Sequence, residues 1–141
     1  MYDRILLPTD GSATAEAAMN HAIDLATRYG ADVHVLHVVD ARQYDTSIES
    51  AVEPLRKRGR EYVGRLVEAA DASVPVTSAI EVGRPARRIL AYATDHDVDL
   101  VVMGTRGRGG LPDRLLGSVT DYVVAHASVP VHVVPPADPD A

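Results

Sequence analysis

The segment GTRGRGGLPDRLLGS, residues 104–118, holds five glycines and three arginines directly after the apolar run VDLVVM. Such residues suit anion binding. Glycine admits positive φ and lets a ligand approach main-chain N–H groups with no Cβ in the way. Successive N–H groups turned inward form an anion nest. Gly104, Gly107, Gly109 and Gly110 supply that freedom, and Arg106, Arg108 and Arg114 could add charge. The following GSVTD (117–121) predicts a helix start, with Ser118 as N-cap and Asp121 at the capping-box spacing. A helix N-terminus adds unsatisfied donors and a partial positive charge, so nest and helix tip together can hold two or three phosphates. The rival reading is a surface loop whose glycines only serve turns.

Generic phosphate motifs do not fit. No Lys-Ser/Thr follows a glycine at the Walker A distance, and from Gly107 the GxGxxG pattern meets Pro112 instead of a third glycine. Nucleophilic catalysis has little support. Ser12, Asp10 and His37 make a nominal hydrolytic set, but no Gly-x-Ser-x-Gly turn presents the serine. His34 and His37 lie three apart on an expected strand, hence on opposite faces. His21, His96, His126 and His132 are scattered, and all six histidines read as packing, capping or surface residues. The absence of cysteine removes thiolate chemistry, disulfides and Cys-based zinc sites, and fits a reducing cytosol.

Any such site needs elements to carry it. Five short apolar runs recur: RILLP (4–8), DVHVLHVV (32–39), VPVTSAIEV (74–82), VDLVVMG (98–104) and VPVHVVP (129–135). Runs of this length, rich in Val, Ile and Leu and closed by Gly, Pro or Asp, predict strands buried on both faces. Between them lie helical stripes: Ala15, Ala18, Met19, Ala22, Ile23, Leu25 and Ala26; then Val52, Leu55, Tyr62, Val63, Leu66, Val67 and Ala70. Ala86, Ile89, Leu90 and Ala93 make a third, and Val119, Tyr122, Val123 and His126 a fourth. Gly30 reads as a helix C-terminal cap and Pro85 as a first helical residue, whereas Pro54 blurs the start of the second helix. Strict alternation predicts one α/β domain: an open, doubly wound, Rossmann-like five-stranded parallel sheet with helices on both faces. The domain is expected over 1–136, with residues 137–141 a flexible tail and residues 41–50 a loop. Ligands of such sheets sit at the carboxyl ends of the strands, where strand order reverses. For five strands in a flavodoxin-like or related order, the first strand and the fourth are expected to flank that point, which brings PTDGS (8–12) beside GTRGRGG (104–110).

Composition agrees with a single soluble domain: 141 residues, 46% hydrophobic and 24% charged, enough to form a core without staples. A formal net charge of −6 opposes nucleic-acid binding, which rests on Lys and Arg neutralising phosphates. No apolar run approaches the ~20 residues of a membrane span, and the N-terminus lacks a signal-peptide pattern. A cytoplasmic location is expected.

The residues resemble the universal stress proteins, whose ATP-binding branch carries Gly, two residues, Gly, nine residues, then Gly-Ser or Gly-Thr. Gly104, Gly107 and Gly117-Ser118 match that spacing without a gap. ILLPTDGS, LHVVD, GRPARRIL, DLVVMGTRG, LLGSVTDYVV and VPVHVV extend the resemblance along the whole chain. It implies an adenine nucleotide, ATP or else AMP or ADP, commonly with Mg²⁺ on its phosphates. Asp10 would accept from ribose hydroxyls or help hold a divalent ion, its alternative being an Asx turn. Pro8 and Thr9 would line the same edge. The backbone of Val38 would read the base, unless Val38 is only core. Met103 would pack on the base and Gly104 pass under the ribose. Gly107, Gly117, Ser118 and Val119 would offer N–H groups to phosphate, with Arg106 and Arg108 adding charge. The last strand, over 130–134, would pair with its copy in a homodimer, because an apolar sheet edge needs covering. The implied role is a nucleotide-dependent sensor or regulatory module. A slow ATPase or autophosphorylating switch using Ser118 or Thr120, and a dimeric module without nucleotide, are the alternatives.

Overall fold

A computed structural model describes residues 1–12, 14–42, 49–70, 73–105 and 116–136. Strands β1 (Arg4–Pro8), β2 (Asp32–Asp40), β3 (Val76–Gly83), β4 (Leu100–Gly104) and β5 (Val131–Val134) alternate with helices α1 (Thr14–Tyr29), α2 (Glu49–Ala69), α3 (Pro85–Asp95) and α4 (Ser118–His126). All strand pairs are parallel, in the order β3-β2-β1-β4-β5. The chain therefore winds outward in two directions from a reversal between β1 and β4.

Period-two alternation divides the central strands between two cores. Ile5, Leu7, Val33, Val35, Leu100 and Val102 meet Ala18, Met19, Ala22 and Ala26 of α1 and Val63 and Leu66 of α2. Leu6, Leu36, Val38, Val101 and Met103 meet Ile89, Tyr92 and Ala93 of α3 and Val123 of α4. Each fully buried Leu or Ile side chain contributes roughly 1.5–3 kcal/mol by leaving water, which is why the two-faced strands carry the most apolar runs. His34 and His37 do fall on opposite faces: His34 bonds to Tyr92 of α3, while His37 stacks edge-on against Tyr62 of α2. Burial on both faces, expected of every run, fails at the sheet margins. Thr77 and Ser78 of β3 are exposed, and all of β5 is only half-buried, because each margin strand has one neighbour.

The punctuation follows the sequence closely. Gly30 has φ +68°, and the Ala31 N–H reaches back to the Ala26 carbonyl at 2.9 Å, a Schellman closure of α1. Pro85 is the first residue of α3. Helix α2 runs through Pro54, its sixth residue, so the Ser50 carbonyl goes without its i+4 donor there.

Candidate functional site

Strand β1 ends before its neighbours. Its last partners are Leu36 on β2, opposite Pro8, and Val101 on β4, opposite Leu6. Strands β2 and β4 run on to Asp40 and Gly104. The gap left between them is a crevice of about 410 Å³, within the usual range for small-ligand sites. The first- and fourth-strand junctions share it, as the reversal of strand order requires.

One wall is the exposed edge of β2. The Thr9 N–H donates to the Leu36 carbonyl at 2.9 Å, so the main-chain groups of Leu36 face β1. Two residues on, those of Val38 face the same way, and there β1 has already turned off. Val38 thus serves two purposes: its side chain is buried against α3, while its N–H and C=O edge the crevice. Pro8 and Thr9 line the floor beside it. Asp10 also lines it, with Oδ1 accepting the Ser12 N–H at 2.9 Å. The Asx turn is therefore present, and it ties the carboxyl group in place at the mouth. On the rim, the Arg42 guanidinium hydrogen-bonded to Asp40 holds that carboxyl below its ordinary pKa, so Asp40 stays ionised.

The opposite wall is Met103, Gly104 and the tip of α4. Here the structure corrects two expectations. The N-cap is Gly117, with φ −61° and ψ 154°, and no side chain caps the helix; Ser118 is already its first helical residue. The Gly117 N–H donates to the Thr105 carbonyl at 2.8 Å and is no phosphate donor, because it instead locks the helix start to the end of β4. The first intrahelical bond runs from the Asp121 N–H to the Gly117 carbonyl, so the N–H groups of Ser118, Val119 and Thr120 form the open tip. Ser118 is exposed and Val119 half-buried, and both line the crevice. The Thr120 hydroxyl donates to the Gly104 carbonyl at 2.9 Å, a second tie between β4 and α4. Arg106, Gly107 and Arg108 lie outside the described residues.

Helix α2 closes the crevice from a side that sequence reasoning missed. Leu55, Arg58 and Tyr62, spaced three and four apart, line it, and Arg58 is the one Lys or Arg among the described lining residues. Gly11 has φ +82°, and a Cβ there would lie 2.8 Å from the Tyr62 ring, so this turn admits glycine alone. The His37 Nδ1–H donates to the Thr9 carbonyl at 2.9 Å, and a Cβ on Gly59 would strike the same ring at 2.5 Å. The local signal was available: Gly11 follows Asp10 at a strand end, and Tyr62 interrupts an aliphatic helical stripe. Which turn meets which helix is a long-range fact.

The model of the universal stress protein family matches residues 1–135. Universal stress protein MJ0531 of Methanocaldococcus jannaschii is 36% identical over 140 residues, covering 95% of this chain and 82% of its own. The solved structure of MJ0577, also from Methanocaldococcus jannaschii, superposes with a TM-score of 0.83 at 36% identity, over 98% of this chain and 99% of that one. A universal stress protein solved in complex with cAMP shares the fold, with a TM-score of 0.72 at 24% identity over 96% and 99% of the two chains.

Proposed function

The chain belongs to the universal stress protein family, and on that premise we propose that its crevice binds an adenine nucleotide, with ATP as the resident ligand. One observation carries the reading. A main-chain donor–acceptor pair on Val38, a fixed carboxyl on Asp10 and the open tip of α4 all face one cavity of about 410 Å³. These suit, in that order, the edge of a purine, the hydroxyls of a ribose and a chain of phosphates. Pro8 and Met103 flank the base, and Gly104 leaves room for the sugar. Ser118 and Val119 donate to phosphate, with residues 106–108 completing the cradle. A magnesium ion would ride on the phosphates and draw few ligands from the protein. Binding rather than turnover is the function: nucleotide occupancy sets the state of a cytoplasmic regulatory module.

The same reading includes a homodimer through β5. The carbonyls of Pro130 and Val134 accept from Val101 and Thr105 of β4, so the intervening odd-numbered residues turn their main chain outward. Val131 and Val133 thus present an unpaired edge able to take a second copy antiparallel.

Two measurements test this. Untagged protein, denatured and analysed by mass spectrometry, should release an adenine nucleotide, with cyclic and linear forms separated. Calorimetry should show added ATP binding to the emptied protein. Neither release nor binding would overturn the nucleotide reading. Light scattering on the wild type and on Val133→Pro tests the dimer: the proline removes an outward N–H and should give a folded monomer. A wild type already monomeric at micromolar concentration would overturn that half.

A further inference from the structure

We propose that the seam of the β5-paired dimer binds a divalent transition-metal ion of the zinc class through His21 and His132 of each copy. The inference rests on the dimer reading above.

Two histidines stand apart from the others. Nδ1 of His34, His37, His96 and His126 is engaged by Tyr92 Oη or by the carbonyls of Thr9, Tyr92 and Tyr122 respectively. His21 and His132 show no hydrogen bond or ion pair among the described residues, and their rings pair with each other. The ring centroids lie 5.3 Å apart, with the planes at 51°. Two imidazoles bound to one tetrahedral ion at about 2.0–2.1 Å have centroids about 5 Å apart. The pair is therefore already spaced as two corners of such a site. His21 is exposed on α1, and His132 sits opposite Val102 of β4, whose side chain faces the α1 core, so both rings lie on the same face of the sheet.

Among the described residues, one chain brings two such ligands together. Among the described residues, no group of three or more His, Asp or Glu could hold a metal. The second copy supplies the rest, and the prolines choose the register. Outward-facing residues are odd-numbered, so a two-fold axis can pass through Val131, His132 or Val133. An axis at Val133 would set Val131 against Pro135, which has no N–H to give. An axis at Val131 would draw on Val129, outside the strand. An axis at His132 pairs Val131 with the partner's Val133 on both sides, and each pair exchanges two hydrogen bonds. Pro130 is harmless there because its carbonyl faces β4. His132 then lies directly opposite the partner's His132, as a non-hydrogen-bonded pair with Cβ atoms about 4.5–5.5 Å apart. Two His132 rings, each with its His21, bring four imidazoles to one seam. Nitrogen donors of this kind suit Zn²⁺, Cu²⁺ and Ni²⁺ over Mg²⁺ or Ca²⁺.

The test uses untagged, chelator-treated protein. Light scattering in EDTA first establishes the dimer. Calorimetry with Zn²⁺ should then give one ion per two chains, and Co²⁺ should develop a tetrahedral visible spectrum. Free zinc at 100 times its own Kd should tighten the dimer about 100-fold. Both His132→Ala and His21→Ala should abolish the ion. The second places the best helix former on an exposed helix surface, so its fold is secure. A dimer that binds no zinc, or that binds it unchanged in either variant, overturns the metal site and leaves the dimer standing. A monomer in EDTA and in zinc alike overturns the dimer reading beneath it.

Discussion

Replacing Ser118 by proline removes one main-chain donor while sparing the fold. Proline is favoured at the first helical position, where its N–H has no intrahelical partner to lose. The residue before a proline must be extended, and Gly117 already has φ −61° and ψ 154°. The structural ties of this corner do not involve Ser118: they run from the Gly117 N–H to Thr105, from the Asp121 N–H to Gly117 and from the Thr120 hydroxyl to Gly104. Stability should therefore change by no more than about 0.5 kcal/mol. Binding should change much more. A hydrogen bond to a charged group is worth about 1.5–3 kcal/mol, equivalent to roughly a 10- to 150-fold weaker Kd for ATP. Ser118→Ala, which removes only the hydroxyl, separates side chain from backbone and should bind ATP more tightly than Ser118→Pro. Calorimetry of both variants, with thermal melts of the nucleotide-free forms, makes the comparison. If Ser118→Pro melts like wild type and binds ATP like wild type, the α4 tip does not hold phosphate.

Three further outcomes are expected. Asp10→Asn keeps an oxygen for the Ser12 N–H, so the turn survives, but affinity for ATP should fall roughly tenfold; calorimetry should also show its preference for ATP over 2′,3′-dideoxy-ATP collapsing. Gly11→Ala forces a left-handed alanine against Tyr62 and should cost at least about 1–2 kcal/mol, read as a lower Tm. Burial, then the Arg4 and His96 charges, hold His34 below its ordinary pKa, outweighing the opposing pull of Asp32. The unfolded chain then binds this proton at a higher pH than the folded one, so the stabilisation is full above about pH 6.5 and is lost as pH falls through the folded pKa. Denaturant melts across pH 5–8 should show that slope, and His34→Gln should flatten it.

Much of this molecule was legible along the chain. Strand and helix identities followed from apolar periodicity, and Gly30 and Pro85 marked helix ends because positive φ and a fixed φ are local demands. The spacing of Gly104, Gly107 and Gly117-Ser118 pointed to the corner between β4 and α4, and Gly104, Gly117 and Ser118 do line the crevice. Local rules misplaced the α4 cap by one residue, because the bond that decides it joins Gly117 to Thr105 across the loop.

Tertiary structure alone decided the rest. Val38 offers its main chain to the crevice only because β1 stops opposite Leu36 while β2 continues, a difference in strand length invisible within either run. Tyr62, His37 and Gly11 meet only once α2 has crossed back over the sheet, and His21 reaches His132 only because β5 lies beside β4 under the edge of α1. Backbone preference acts over a few neighbouring residues and can be read in order. A binding wall is assembled from distant segments, and their meeting depends on how the buried faces of sheet and helices pack.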